Sequence, residues 1–116
     1  MPTPADKGSY SEYLRLKELL SLQCGWKENE EKISTDELHF IIVHQSFELW
    51  FKLVISELKQ ARNTLDKSYV QETEIPKVVH HMERAIETFR LMAQQWKVME
   101  TLTPQGFLSF RDELGT

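Results

Sequence analysis

From Ser34 to about Leu65 the chain reads as one long helix, and this stretch limits the possible folds more than any other. Ser34 and Glu37 form a Ser-x-x-Glu capping box, which satisfies free backbone amides of a first helical turn. Leu38, Ile41, Ile42, Leu49, Leu53 and Leu58 follow as the apolar positions. Between Phe40 and Ile55 apolar side chains occur on nearly every side. A helix at the surface of a simple bundle keeps a polar stripe. This one is expected to be enclosed by more protein than three short neighbours supply, as part of a larger body or an oligomer.

The rest of the chain is also helical in pattern, and no strand is convincing. Ser9 and Glu12 make a second capping box, opening a helix with Tyr10, Tyr13, Leu14, Leu16, Leu19 and Leu20 that should fray near Gly25. A polar loop covers Lys27 to Lys32. Pro76 sits where a first-turn proline is tolerated, and Val79, Met82, Ile86, Phe89, Ala93 and Trp96 then recur at three- and four-residue steps. Thr103-Pro104 reads as an N-cap and first helical position before a short helix with Phe107, Phe110, Arg111 and Leu114. The expected fold class is all-α, a bundle of about four helical segments. The short connection Asp66 to Ile75 should make the second and third helices antiparallel neighbours. Residues 1–8, polar with two prolines and a glycine, are expected to be a disordered arm ahead of a helical region over 9–116.

Composition excludes several classes. The chain has 116 residues, 41% hydrophobic and 28% charged, with a formal net charge of -4, so a packed core is expected rather than disorder. Lys and Arg are scattered, which argues against a nucleic-acid partner. No apolar run reads as long enough to cross a bilayer, and the N-terminus lacks a secretory h-region. A single cysteine, Cys24, excludes an internal disulfide and suits a reducing cytoplasm. With one cysteine, and with His39 and His44 five apart, a structural zinc site is not expected.

Three residue types carry chemistry. Phe40 and His44 are four apart, hence on one helix face that Phe47 and Phe51 continue. An imidazole on an aromatic wall can hold a flat ligand by bonding a ring N–H or taking a proton. It can equally bond a carbonyl or carboxylate inside a core, which spacing alone favours. Arg111 can hold a carboxylate through two parallel hydrogen bonds, or pair with Asp112 or Glu113. Tyr10 and Tyr13 can line a pocket or pack in a core.

SYSEYLRLKELLSLQ, then HFIIVHQSFELWFKLVISEL, then ETLTPQGFLSFRDELG, in this order and spacing, resemble the tryptophan 2,3-dioxygenase family. The likeness runs from about Ser9 to Gly115. It implies an all-helical, tetrameric, cytosolic enzyme that uses b-type haem to insert O2 across the indole C2–C3 bond of L-tryptophan, giving N-formylkynurenine. By the same resemblance His44 matches the distal histidine that bonds the indole N–H, and Phe40 the aromatic beside it. Arg111 matches the arginine that clamps the substrate carboxylate. Tyr10, Tyr13 and Leu14 match first-helix residues that reach a neighbouring subunit's site. Phe107 stands where some members carry a tyrosine whose hydroxyl also contacts the carboxylate.

None of the four histidines matches the family's proximal haem ligand, so no metal ligand is expected in this chain. The expectation is the substrate-side part of the domain, completed by a C-terminal half elsewhere. The alternatives are a truncated, non-catalytic helical assembly module, or a sister haem enzyme acting on another indole or aromatic amino acid.

Overall fold

The computed structural model describes residues 8–27 and 29–114. Residues 1–7 of the expected arm lie outside them. Among the described residues the structure is helical and has no strand, which establishes the all-α class. The α-helices are α1 (Tyr10–Tyr13), α2 (Leu16–Leu19), α3 (Thr35–Leu65), α4 (Ile75–Met99) and α5 (Pro104–Leu108). Short 3-10 turns occupy Gly25–Lys27, Glu30–Lys32, Glu72–Glu74 and Arg111–Leu114. The chain divides into two compact units. One comprises the described residues up to Ile41 together with those from Pro104 onward, and the other is Ile42–Thr103.

In the first unit both capping boxes form. The Glu12 amide donates to Ser9 Oγ at 3.3 Å and the Glu37 amide to Ser34 Oγ at 3.1 Å. The first helix is shorter than its pattern predicts. Arg15 adopts the left-handed conformation, φ 59°, and divides the expected single helix into α1 and α2. A left-handed residue cannot continue a right-handed helix. Gly25, at φ +58°, turns the chain into the next 3-10 segment, where a residue without Cβ costs least. Lys27 Nζ then lies 3.1 Å from a Glu113 carboxylate oxygen and 3.6 Å from one of Glu37. The hydrogen bond that Lys27 donates to Glu113 is the main cause that holds its ammonium above its ordinary pKa.

The second unit is an antiparallel pair made by α3 from Ile42 onward and α4. Val43, Phe47 and Val54 of α3 pack with Ala85 and Met92 of α4, and Trp50 and Met99 border them. Ser46 Oγ reaches the Gln95 side chain at 3.5 Å, and nearer the connection Glu57 meets His81 and Arg84, so contacts descend along α4 as they ascend along α3. Pro76 falls in the first turn of α4, as its chemistry requires. The connection is tied by Lys67 Nζ to Glu74, 2.7 Å apart.

One apolar face lies outside the packing, and one expectation is corrected. The six residues that recur along α4 from Val79 to Trp96 do not form its buried stripe. Val79, Met82, Ile86, Phe89 and Trp96 are each 42 to 54% exposed, while Ala85, Thr88 and Met92 are buried. The small Ala85 and Thr88 let α3 approach closely, so the packed face is rotated from the more hydrophobic one. The reading that nothing in the chain is long enough for a bilayer fails on length and composition. α3, with 31 residues, is long and apolar enough to cross a membrane by those criteria. Counting uninterrupted apolar residues missed this, because Glu48 and Lys52 punctuate the run. The helix buries Val43, Phe47, Val54 and the ion-paired Glu57, and leaves Ile42, Leu49, Phe51, Ile55 and Leu58 exposed.

Candidate functional site

The second unit presents an open apolar groove of about 400 Å³. α3 contributes His44, Phe47, Glu48 and Phe51, and α4 contributes Phe89, Met92, Ala93, Trp96 and Met99. Helical spacing explains the α3 side, since positions 44, 47, 48 and 51 share one face over two turns. Phe47 forms the floor. It is buried, with its ring centroid 5.0 Å from that of Trp96 and 6.3 Å from that of Phe51. His44 is exposed at the same groove. The size lies within the usual range for small-molecule sites, roughly 300–1,000 Å³. An apolar slot with an imidazole at its edge can take a flat aromatic ring and bond one ring N–H.

Of the expected aromatic wall on α3, His44, Phe47 and Phe51 line the groove and Phe40 does not, and the α4 side was not anticipated. Phe89 and Trp96 line the groove from α4, and their spacing marked them only as part of an apolar face. The interval that brings Trp96 to Phe47 is set by the antiparallel hairpin, which single-helix periodicity does not report.

The first unit gathers a different set. Phe40 at the start of α3 meets Phe107 of α5, ring centroids 5.9 Å apart, and Phe110, 5.2 Å apart. Phe107 and Phe110 meet edge-on at 5.7 Å. Phe110 is the buried centre at 3% exposure, whereas Phe40 and Phe107 are half-buried. Arg111 follows at once, where the 3-10 turn begins, and its side chain is mostly exposed. Its approach to Asp112 is loose, Nε to Oδ1 3.9 Å. A guanidinium held so weakly is open to a carboxylate ligand.

Tyr10 and Tyr13 are 75% and 83% exposed and Leu14 is exposed beside them. All three sit on or next to α1. Among the described residues no group of three or more His, Cys, Asp or Glu side chains is placed to hold a metal ion. His80 Nε2 lies 3.0 Å from Arg84 Nη2, and His81 Nδ1 is bonded to Glu57.

Residues 3–116 match the family model described as tryptophan 2,3-dioxygenase. The chain is 39% identical over 106 residues to the tryptophan 2,3-dioxygenase of Sorangium cellulosum, covering 91% of this chain and 26% of that protein. It is 43% identical over 106 residues to tryptophan 2,3-dioxygenase 2 of Ralstonia nicotianae, covering 91% and 29%. It is 43% identical over 105 residues to the enzyme of Alteromonas mediterranea, covering 90% and 29%. The chain therefore spans between a quarter and a third of the length of these relatives, and over that span it belongs to the tryptophan 2,3-dioxygenase family.

Proposed function

We propose that this chain supplies the substrate side of a haem-dependent tryptophan 2,3-dioxygenase, which converts L-tryptophan and O2 to N-formylkynurenine. The observation that carries the proposal is His44 standing exposed at an aromatic groove of ring-binding size. In its neutral form the imidazole accepts a hydrogen bond from the indole N–H and so fixes the ring's orientation. Orientation of this kind lowers a barrier without any proton leaving the ring. Arg111 receives the substrate carboxylate, and Phe40 with Phe107 gives an apolar ring surface. That His44 and Arg111 serve one substrate rests on the family motif.

The proposal leaves the axial ligand of the haem that the family implies outside this chain. His80 and His81 are engaged by Arg84 and Glu57, and His44 is given to the groove. On this reading the chain's part is binding and orienting the amino acid. We assign iron ligation to a C-terminal portion of the domain, and Tyr10, Tyr13 and Leu14 to a neighbouring subunit's site in a cytosolic tetramer.

A hemin titration with and without L-tryptophan tests the division of labour. A weak, tryptophan-insensitive Soret signal from this chain, becoming sharp and tryptophan-responsive when a relative's C-terminal portion is added, is the expected result. A sharp, stoichiometric Soret band from this chain alone would overturn it. The second reading, a non-catalytic helical assembly module, is favoured by the exposed apolar stripe of α4. It requires that L-tryptophan never bind, whatever is added.

A further inference from the structure

Arg111 stands between two attachments of its own turn. On one side the buried ring of Phe110 packs on Phe40, centroids 5.2 Å apart. On the other, Glu113 donates its amide to the Phe110 carbonyl at 2.9 Å, and its carboxylate lies 3.1 Å from Lys27 Nζ. The same ammonium stands 3.6 Å from Glu37 Oε1, as its counter-charge. Glu37 is only 4% exposed and lies in the first turn of α3, just ahead of Phe40. The turn that carries Lys27 closes on this carboxylate from its other side, where a Cβ on Gly25 would stand 3.0 Å from Glu37 Oε2. A buried carboxylate does not part from its counter-charge without cost, so the Lys27 end of the tie is fixed.

We infer that Lys27 is a positioning residue for Arg111: it ties the Arg111 turn to the turn of α3 next to Phe40, so that Arg111 leaves the backbone at a fixed place and angle. Its role rests on the proposed reading, in which Arg111 receives the substrate carboxylate. Arg111 has little to position it otherwise. Its side chain is 60% exposed, and Nε is 3.9 Å from Asp112 Oδ1. The 3-10 turn Arg111–Leu114 is short, and 3-10 hydrogen bonds are poorly aligned. Held through Phe110 alone, such a turn would pivot on that ring. The tie at Glu113, beyond Arg111, removes the pivot. A guanidinium that grips a carboxylate through two parallel bonds needs a set plane, and a displacement of about 1 Å can cost about a hundredfold in rate.

Hydrogen exchange in the 116-residue chain and ligand binding in the protein completed by a relative's C-terminal portion test this together. In the chain, Lys27→Met should speed exchange of the Glu113 amide about tenfold, and Lys27→Arg should leave it unchanged. In the completed protein, Lys27→Met should weaken L-tryptophan binding roughly tenfold and leave tryptamine, which lacks the carboxylate, unaffected. Lys27→Arg should bind both ligands as the wild type does. Because Lys27→Met also strips the buried Glu37 of its counter-charge, Glu113→Gln is the second variant. It frees the turn, keeps the Lys27–Glu37 pair and should show the same selective loss. An equal loss for both ligands overturns the inference and leaves Lys27 a residue of fold stability only. A Glu113 amide indifferent to Lys27→Met overturns it as well. Arg111→Ala separates the positioning role from the reading beneath it. If Arg111→Ala erases the preference for L-tryptophan over tryptamine while Lys27→Met and Glu113→Gln keep it, the carboxylate reading stands and the role of Lys27 falls. If Arg111→Ala keeps the preference, both fall.

Discussion

Glu57 and Arg84 are joined across the α3–α4 pair, Oε1 to Nη1 at 2.8 Å, with the carboxylate 7% exposed and its second oxygen on His81 Nδ1. Removing one partner of such a group strands the other, which costs more than the pair itself contributes.

The first prediction concerns pH. The hydrogen bonds from His81 and Arg84 hold the Glu57 carboxyl below its ordinary pKa of 4.5. A lowered carboxyl pKa contributes stability that is complete above the unfolded value and is lost as pH falls through the folded one. The thermal midpoint of the second unit should therefore drop as pH is lowered from about 5 into the range below the ordinary carboxylate value. Glu57→Gln should be less stable at pH 7 and should show a flatter acid slope. Circular dichroism melts from pH 3 to 7 decide this, and an unchanged acid slope in the variant would refute it. Glu74, lowered mainly by its bond to Lys67, contributes in the same direction and leaves a residual slope.

His44→Ala should leave the fold intact, because the side chain is exposed. It should weaken L-tryptophan binding by about five- to tenfold in the completed protein, the worth of one hydrogen bond. A ligand methylated on the indole nitrogen separates this from loss of shape. The wild type should discriminate against it and the variant should not. Equal discrimination by both proteins in calorimetry would remove the indole N–H from His44.

Phe107→Tyr adds a hydroxyl to a ring four residues ahead of the exposed Arg111, and on the proposed reading both meet the substrate carboxylate. Phe107 is only half-buried, so stability should change by less than about 0.5 kcal/mol. Binding of L-tryptophan should tighten by roughly threefold to tenfold, while tryptamine, which lacks the carboxylate, gains nothing. A gain common to both ligands would show that the hydroxyl acts elsewhere. Phe110→Ala, at the buried centre of the same three rings, should instead cost about 3–5 kcal/mol in urea unfolding.

Gly25→Ala tests the turn ahead of α3. At φ +58° an alanine is strained by about 1–2 kcal/mol, and its Cβ would stand 3.0 Å from the Glu37 carboxylate that Lys27 holds. The first unit should lose that much stability in denaturant unfolding. A variant as stable as wild type would mean that the turn relaxes without cost.

The sequence made some of these features legible because they are local. Ser9 with Glu12 and Ser34 with Glu37 are caps that depend on residues three apart, and both form. The length of α3 and the place of Pro76 follow from continuous local pattern in the same way. Arg15 gave no such signal. It is neither glycine nor asparagine, yet it takes the left-handed conformation that splits the first helix. The packed face of α4 was not legible for a different reason. Periodicity finds the most apolar stripe, but close approach to α3 selected the smaller residues Ala85 and Thr88. The site was half legible. His44, Phe47 and Phe51 lie on one face by spacing alone, whereas Trp96 enters only through the register of two helices distant in sequence.

That register also sets an order of assembly. Residues 66–74 make a short connection, and the Lys67–Glu74 pair closes it. The cheapest contacts to form are those that enclose the least chain, so the hairpin should zip from Glu57 and Arg84 outward. Phe47 and Trp96, which enclose a much longer loop, join later and open earlier. The groove beside His44 thus sits at the fraying end of the hairpin, where a ring that binds would slow amide exchange most strongly along the last turns of α4.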